Sequence, residues 1–239
     1  MPMSASMQAS YDFKQAWNKE YQENRELTSP SEYVIRMFKG KYPHLNLREA
    51  GYQGKSICDV GCGNAVNTAF LRSLGMQVYG LEVTDEVVAI ANENLRQLGV
   101  TDACLKTGNN AQIPFEDGMF DYLISWNACY YMGDSLDFDR HVQEFARVMK
   151  PGATCVLSIP KKTCFIYDQS ETLKPGYEII RNDPFNVRNG EVLRMFEDEA
   201  ELEATFAPHF KDFIFGDIHD NCFGFAYHWH LVVCKKREV

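Results

Sequence analysis

The stretch Asp59-Val60-Gly61-Cys62-Gly63-Asn64-Ala65 stands where an apolar run, KSICDV, gives way to a helix-period segment, VNTAFLRSLG. Two glycines at such a junction let the backbone come close to a ligand, and the first turn of the following helix offers it unpaired N–H groups. Glu82 closes the next apolar run, MQVYGLE, 21 residues after Gly61. A carboxylate at that place can accept both hydroxyl hydrogens of a ribose. Together the two features point to an adenosine-type nucleoside. A dinucleotide fingerprint starting at Gly61 needs glycine or alanine at position 66, where this chain has Val66, so pyrophosphate is disfavoured. Asp59 adds a negative group at the end of the run, which suits a cationic ligand and opposes phosphates.

A second group of residues could act on whatever the nucleoside carries. Tyr130 and Tyr131 follow the apolar run FDYLISW and could bound a pocket or contact a cation through their ring faces or hydroxyls. Proton removal from an acceptor would need a base, for which Tyr130, Tyr131, His228, His230 and Asp217 are the candidates. His228 and His230 alternate on one strand face, with Asp217, His219 and Asp220 near them in sequence. Their spacing is loose for a ligand set and strand histidines commonly pack, so no metal is expected. Between residues 160 and 196 lie Lys161, Lys162, Lys174, Arg181, Arg188 and Arg194, mixed with Tyr167 and Tyr177. This basic excess would suit a small anionic acceptor, with Arg181 and Arg188 as its expected contacts.

The elements that must position these groups show as alternating periodicities. KSICDVG, MQVYGLE, ACLKTG, the run after the Asp117-Gly118 turn, and TCVLSIP read as strands. Between them VNTAFLRSLG, TDEVVAIANENLRQLG with Thr84 as its cap, and SLDFDRHVQEFARVMK stopped by Pro151-Gly152 read as helices. The order β-α-β-α-β-β-α-β implies a mostly parallel sheet joined by right-handed crossovers, with ligands beyond the carboxyl ends of the strands. The segment 160–196 loses periodicity, which marks a functional cap. EDEAELEATFAPHF then reads as a helix, and KDFIFGD and FAYHWHLVVCKK as closing strands. Near the start, Phe13, Trp17 and Tyr21 fall at i, i+4 and i+8, an aromatic stripe that packs a helix and can present Tyr11 or Tyr21 to a pocket as a lid.

The 239 residues carry 24 Lys+Arg against 33 Asp+Glu, a net charge of −9. That balance disfavours nucleic acid, because a phosphate backbone is repelled on average. Global disorder is excluded by 45% apolar content. No run approaches the roughly 18 apolar residues of a membrane span, and MPMSASMQAS has neither the basic nor the apolar part of a signal peptide. A cytoplasmic protein with reduced cysteines is expected, since none of the eight cysteines forms a C-x-x-C pair.

At Asp59, Gly61 and Gly63 the chain resembles the class I S-adenosylmethionine-dependent methyltransferases, whose first motif is (D/E)-x-G-x-G-x-G; it departs at Ala65. The resemblance continues through Glu82, through GNNAQIPFEDGMFDYLIS and through EFARVMKPGA, over roughly residues 55 to 160 in the family's order. It implies an α/β fold: a Rossmann-like doubly wound sheet of seven mostly parallel strands with an antiparallel closing strand and helices on both faces. One domain would cover 1–239, with 1–35 as a lid region and 160–196 as a substrate cap. The cofactor implied is S-adenosylmethionine, with S-adenosylhomocysteine as product. Asp59, Gly61, Cys62 and Gly63 would line its methionine and ribose side, Glu82 and Val83 its ribose, Asn109, Asn110 and Ala111 its adenine, and Trp126 and Asn127 its methionine amino group. Tyr11, Tyr21, Arg181 and Arg188 would meet a small-molecule acceptor methylated on oxygen or nitrogen, with Tyr130, Tyr131 or His228 assisting. The alternatives are a methyltransferase acting on protein or RNA and, less favoured, a nicotinamide-dependent oxidoreductase.

Overall fold

Five consecutive buried residues, Ser56–Val60, form β1, an interior strand of the sheet. Their burial on both sides explains why the strand is apolar apart from Ser56 and Asp59, both of which find hydrogen-bond partners. The structure, a computed structural model, describes residues 13–23, 29–49, 51–133 and 135–238. After β1 come α3 (Val66–Ser73), β2 (Gln77–Glu82), α4 (Asp85–Gln97), β3 (Cys104–Thr107), β4 (Phe120–Trp126), α5 (Phe138–Val148) and β5 (Met149–Pro160). Two helices precede it, α1 (Phe13–Glu23) and α2 (Glu32–Lys39). The rest of the chain gives β6 (Glu171–Lys174), β7 (Tyr177–Ile179), β8 (Val192–Arg194), α6 (Glu199–Phe206), β9 (Phe210–Cys222) and β10 (Phe225–Lys236).

The main sheet has seven strands in the order β3-β2-β1-β4-β5-β10-β9. Strands β1 to β5 pair in parallel, and β10 runs antiparallel to both β5 and β9. The order reverses between β1 and β4, the place where sheets of this kind open a crevice. Helices cover both faces. On one, Val34 and Phe38 of α2 and Phe70 and Leu71 of α3 pack with Ile57, Ile124 and Val156. On the other, Phe138 and Phe145 of α5 and Phe206 of α6 pack with Phe120, Leu123 and Leu157. Three helices start where the sequence supplies a cap: Thr84, Asp137 and Asp198 each accept an N–H from the first turn, worth about 1 kcal/mol apiece.

Three elements differ from the sequence expectation. Segment 160–196 is not aperiodic: β6, β7 and β8 form a separate three-stranded antiparallel sheet, joined by a single 3-10 turn at 165–167 to the end of β5. Pro151-Gly152 does not stop α5, which ends at Val148; β5 starts at Met149 and absorbs the pair, with Gly152 at φ 73°. Helix α2 has no counterpart in the periodicity reading. Among the described residues no helix is long and apolar enough to cross a membrane.

Candidate functional site

The loop after β1 is fixed by what surrounds its glycines. Gly61 and Gly63 have φ of 71° and 56°, a region that glycine enters without strain. A Cβ on Gly61 would come within 2.4 Å of the Ala128 methyl, and one on Gly63 within 2.6 Å of the Tyr21 hydroxyl. Ala65, at φ 62°, takes the same left-handed conformation as the residue before α3, at a cost of about 1 kcal/mol for a side-chain-bearing residue. The third small position therefore keeps a glycine-like backbone.

Glu82 ties this loop to the end of β2. Its Oε1 accepts the Gly63 N–H at 2.7 Å and its Oε2 the Val83 N–H at 2.9 Å. Each carboxylate oxygen keeps one lone pair for a further donor, which is what two vicinal hydroxyls require. Burial raises the Glu82 pKa, while the two backbone N–H groups hold it back. Asp59 points elsewhere: its Oδ2 accepts the Thr68 hydroxyl of α3 at 2.6 Å. Burial pushes its carboxyl up to about 7, against the Thr68 bond and with help from the Glu82 charge.

That shift makes Asp59 a pH-dependent element of stability. Unfolded, it titrates near 4, so between about pH 4 and 7 the folded state holds a proton that the unfolded chain has released. Stability then falls as pH rises through this window. Asp59→Asn keeps an oxygen for Thr68 and has no proton to lose. Its melting temperature relative to the parent protein is expected to climb from pH 5 to pH 8; parallel profiles would show that Asp59 is ionised throughout.

Beyond Glu82 opens a cavity of about 640 Å³, walled by Val83, Thr107, Asn109, Ala111 and Pro114, with Lys14 and Arg140 at its edge. Its floor is held by Arg147, which donates to the carbonyls of Ile113 and Phe115 and pairs with Glu144 and Asp117. Asn109 uses its Oδ1 to accept the Ala111 N–H in a tight turn. Asn110 donates through Nδ2 to the carbonyls of Ala128 and Tyr131, at 3.0 and 3.2 Å. Its amide hydrogens thus stitch this loop to the end of β4, leaving the cavity wall to Asn109 and Ala111.

At that end of β4, Trp126 packs between the two cores. Asn127 sits at φ 59°, donating its N–H to Ser158 Oγ and accepting the Ser158 hydroxyl. Tyr130 is fully buried, with its phenol driven well above its usual pKa by burial, which makes it a poor base. Tyr131 stacks on it at 4.9 Å and receives Arg188 Nε on its hydroxyl at 2.9 Å. Arg188 also pairs with Asp183 at 3.0 Å, whose side chain has no exposure, and its guanidinium lies 5.8 Å from the Trp17 ring centre.

Helix α1 closes this group from above. Trp17 meets Tyr131 edge-on and stacks on Tyr21, while Asn18 Oδ1 accepts the Thr84 hydroxyl. Tyr21 lies near Glu82 and Cys62, and its phenol is raised well above the usual value, by burial first and by those neighbours next. Tyr11 is outside the described residues.

The other expected residues are not drawn into this cluster. Arg181 is exposed and paired with Glu171. His228 stacks on His219 at 3.7 Å and hydrogen-bonds Thr163. Among the cap's other cations, Lys161 pairs with Asp217, Lys162 with Glu197 and Arg194 with Glu201. Four residues that the sequence reading passed over matter here: Asn18, Thr68, Ala128 and Asp183. Only Asn18 had a signal, lying one residue from the aromatic stripe.

Residues 58–157 match the family described as a methyltransferase domain. A demethylmenaquinone methyltransferase of Geobacillus stearothermophilus is 31% identical over 121 residues, covering 49% of this chain and 50% of its own. A protein named as a probable chloroplastic tocopherol O-methyltransferase of Oryza sativa subsp. japonica is 28% identical over 141 residues, 58% of this chain and 36% of its own. The chain thus spans half or less of the length of these curated relatives. Among solved structures, a S-adenosylmethionine-dependent methyltransferase of Methanosarcina mazei superposes with a TM-score of 0.64 at 21% identity, covering 83% of this chain and 99% of the other. One from Aquifex aeolicus gives 0.56 at 18%, covering 94% and 98%. At these identities the structural likeness establishes the fold.

Proposed function

Because residues 58–157 match a methyltransferase domain and the fold is that of S-adenosylmethionine-dependent methyltransferases, we propose that this protein is a class I enzyme of that kind and transfers a methyl group to an oxygen or nitrogen of a small, ring-bearing acceptor. The observation that carries this reading is the Gly63–Glu82–Val83 arrangement, a carboxylate with both oxygens fixed and both still able to accept, beside a backbone that tolerates no Cβ. When bound, S-adenosylmethionine supplies a methyl carbon on a sulfonium, open to in-line displacement. Glu82 would hold the ribose hydroxyls, and Val83, Asn109 and Ala111 would line the adenine. The Gly61 turn and Asn127, locked by Ser158, would shape the methionine side.

The protein's task in such a displacement is to align the acceptor atom and exclude water. Trp17, Tyr21, Tyr131 and Arg188 form the wall that would do so, and α1 would act as the lid, since Tyr21 stands directly on Gly63. The Tyr131 hydroxyl, which accepts Arg188 Nε, would orient an acceptor hydroxyl or amine. An anionic acceptor draws little support from the cap, because Arg181, Arg188 and Arg194 each have a carboxylate partner. The aromatic wall favours a neutral ring instead, in keeping with the quinone- and tocopherol-named relatives.

Calorimetric titration with S-adenosylmethionine, S-adenosylhomocysteine and NADH tests the cofactor, and transfer of labelled methyl to a panel of phenols and of phosphorylated metabolites tests the acceptor. Binding of the first two ligands and labelling of phenols is expected. Binding of NADH alone would overturn the enzyme class, and labelling confined to phosphorylated compounds would overturn the acceptor chemistry.

A further inference from the structure

We propose that Glu199, Asp217 and His230 form a binding site for a divalent cation of the zinc type, at the seam between α6 and the β9–β10 ribbon. One ligand atom from each of the three residues lies within 4.8 Å of the others. The topology brings them together: His230 and Asp217 are direct cross-strand partners, so their side chains share a face of the ribbon. Glu199 opens α6, whose first turn is fixed by the Asp198 cap.

Two independent observations point to a cation. The His230 side chain is buried, with 5% exposure, yet its Nδ1 has no hydrogen-bond partner among the described residues. Leaving such a group unpaired costs about 1–3 kcal/mol, and coordination through the imidazole would hold the ring in one orientation. The local charge is also out of balance. Asp198, Glu199 and Asp217 stand at the seam with Lys161 paired to Asp217, while the neighbouring cations Lys162 and Arg194 are taken up by Glu197 and Glu201. A divalent ion on Glu199 and Asp217 would correct this, with the Lys161 ammonium displaced to solvent.

An imidazole nitrogen with two carboxylate oxygens is a ligand set that suits zinc, and water would complete a tetrahedral shell. The expected consequence is structural. The ion would clamp the start of α6 to the ribbon and close the chain between Glu199 and His230 into a loop. In sequence, His228, His230, Asp217, His219 and Asp220 are too loosely spaced for a ligand set; the ribbon places His228 against His219 and Thr163 and leaves His230 and Asp217 to be joined by Glu199 of α6.

The test uses the full chain after treatment with a chelator. ZnCl2 is titrated calorimetrically into the parent protein and into His230→Gln, Asp217→Asn and Lys161→Met, with melting temperatures recorded with and without the metal. The parent protein is expected to bind one equivalent at micromolar concentration and to melt at higher temperature with zinc. Affinity should fall at least about tenfold in His230→Gln and Asp217→Asn, and rise in Lys161→Met, where the competing ammonium is gone. Asp217 lies on the surface, so its variant carries the test should the His230 change disturb folding. No heat and no melting shift at millimolar ZnCl2 would overturn the site. So would equal affinity in the parent and Asp217→Asn proteins, which would assign the metal to other groups such as the exposed Cys222.

Discussion

Glu82→Ala is expected to weaken S-adenosylhomocysteine binding on the order of 100-fold, while leaving a folded protein. The size follows from what the carboxylate would do for a ribose. Hydrogen bonds to an ionised acceptor are worth about 1.5–3 kcal/mol each, and two of them at the low end make about 3 kcal/mol, roughly two decades of affinity. Removing the side chain also frees the Gly63 and Val83 N–H groups that it accepts, so the loop after β1 loses its anchor. Glu82→Gln, which keeps one accepting oxygen, should fall between the two. Calorimetry with the three proteins, alongside circular dichroism to verify folding, reads this directly. Equal affinity in Glu82→Ala and the parent would remove Glu82 from the site.

Arg188→Ala is expected to lose about 3 kcal/mol of stability, because it strands Asp183 without a counter-charge. The Asp183 carboxylate is completely enclosed, and it would keep only the backbone N–H groups of Val187 and Arg188. Those bonds place the estimate at the lower end for a broken buried pair. Asp183→Asn introduced together with Arg188→Ala should recover most of the loss, since no charge is then left buried. Urea unfolding of both single variants, the double variant and the parent gives the coupling energy. Additive losses would show that the pair contributes little and that Arg188 acts through its contacts with Tyr131 and Trp17 alone.

The parts of this molecule that could be read from sequence are those where local chemistry decides the outcome. Asp59 through Ala65 lies at a strand-to-helix junction whose glycines mark the turn, and Thr84 caps α4 through its own hydroxyl. The alternation of strands and helices in a mostly parallel sheet also follows from the periods, because the central strands β1 and β4 are buried along most of their length; the count of seven strands comes from the family resemblance. The cap could not be read in this way. Strands β6, β7 and β8 have only four, three and three residues, too few for a two-residue period to stand out. Nor does sequence separate Arg181 from Arg188. Both have an acid within ten positions, yet Glu171 holds Arg181 in solvent while Asp183 holds Arg188 under Tyr131. Asn110 illustrates the same limit: its neighbour Asn109 makes the local turn, and its own partners, Ala128 and Tyr131, are 18 and 21 residues away.

The stitch made by Asn110 has a thermodynamic corollary. One planar amide, bonded to carbonyls on both sides of Tyr131, joins the loop that borders the large cavity to the segment that carries the aromatic wall. A ligand that shifts the 109–112 loop must therefore shift Tyr131, and a ligand that fixes Tyr131 must steady the loop. Binding in the cavity and binding against Tyr131 would then be linked by a single free energy, and by reciprocity each ligand would change the other's affinity by the same factor.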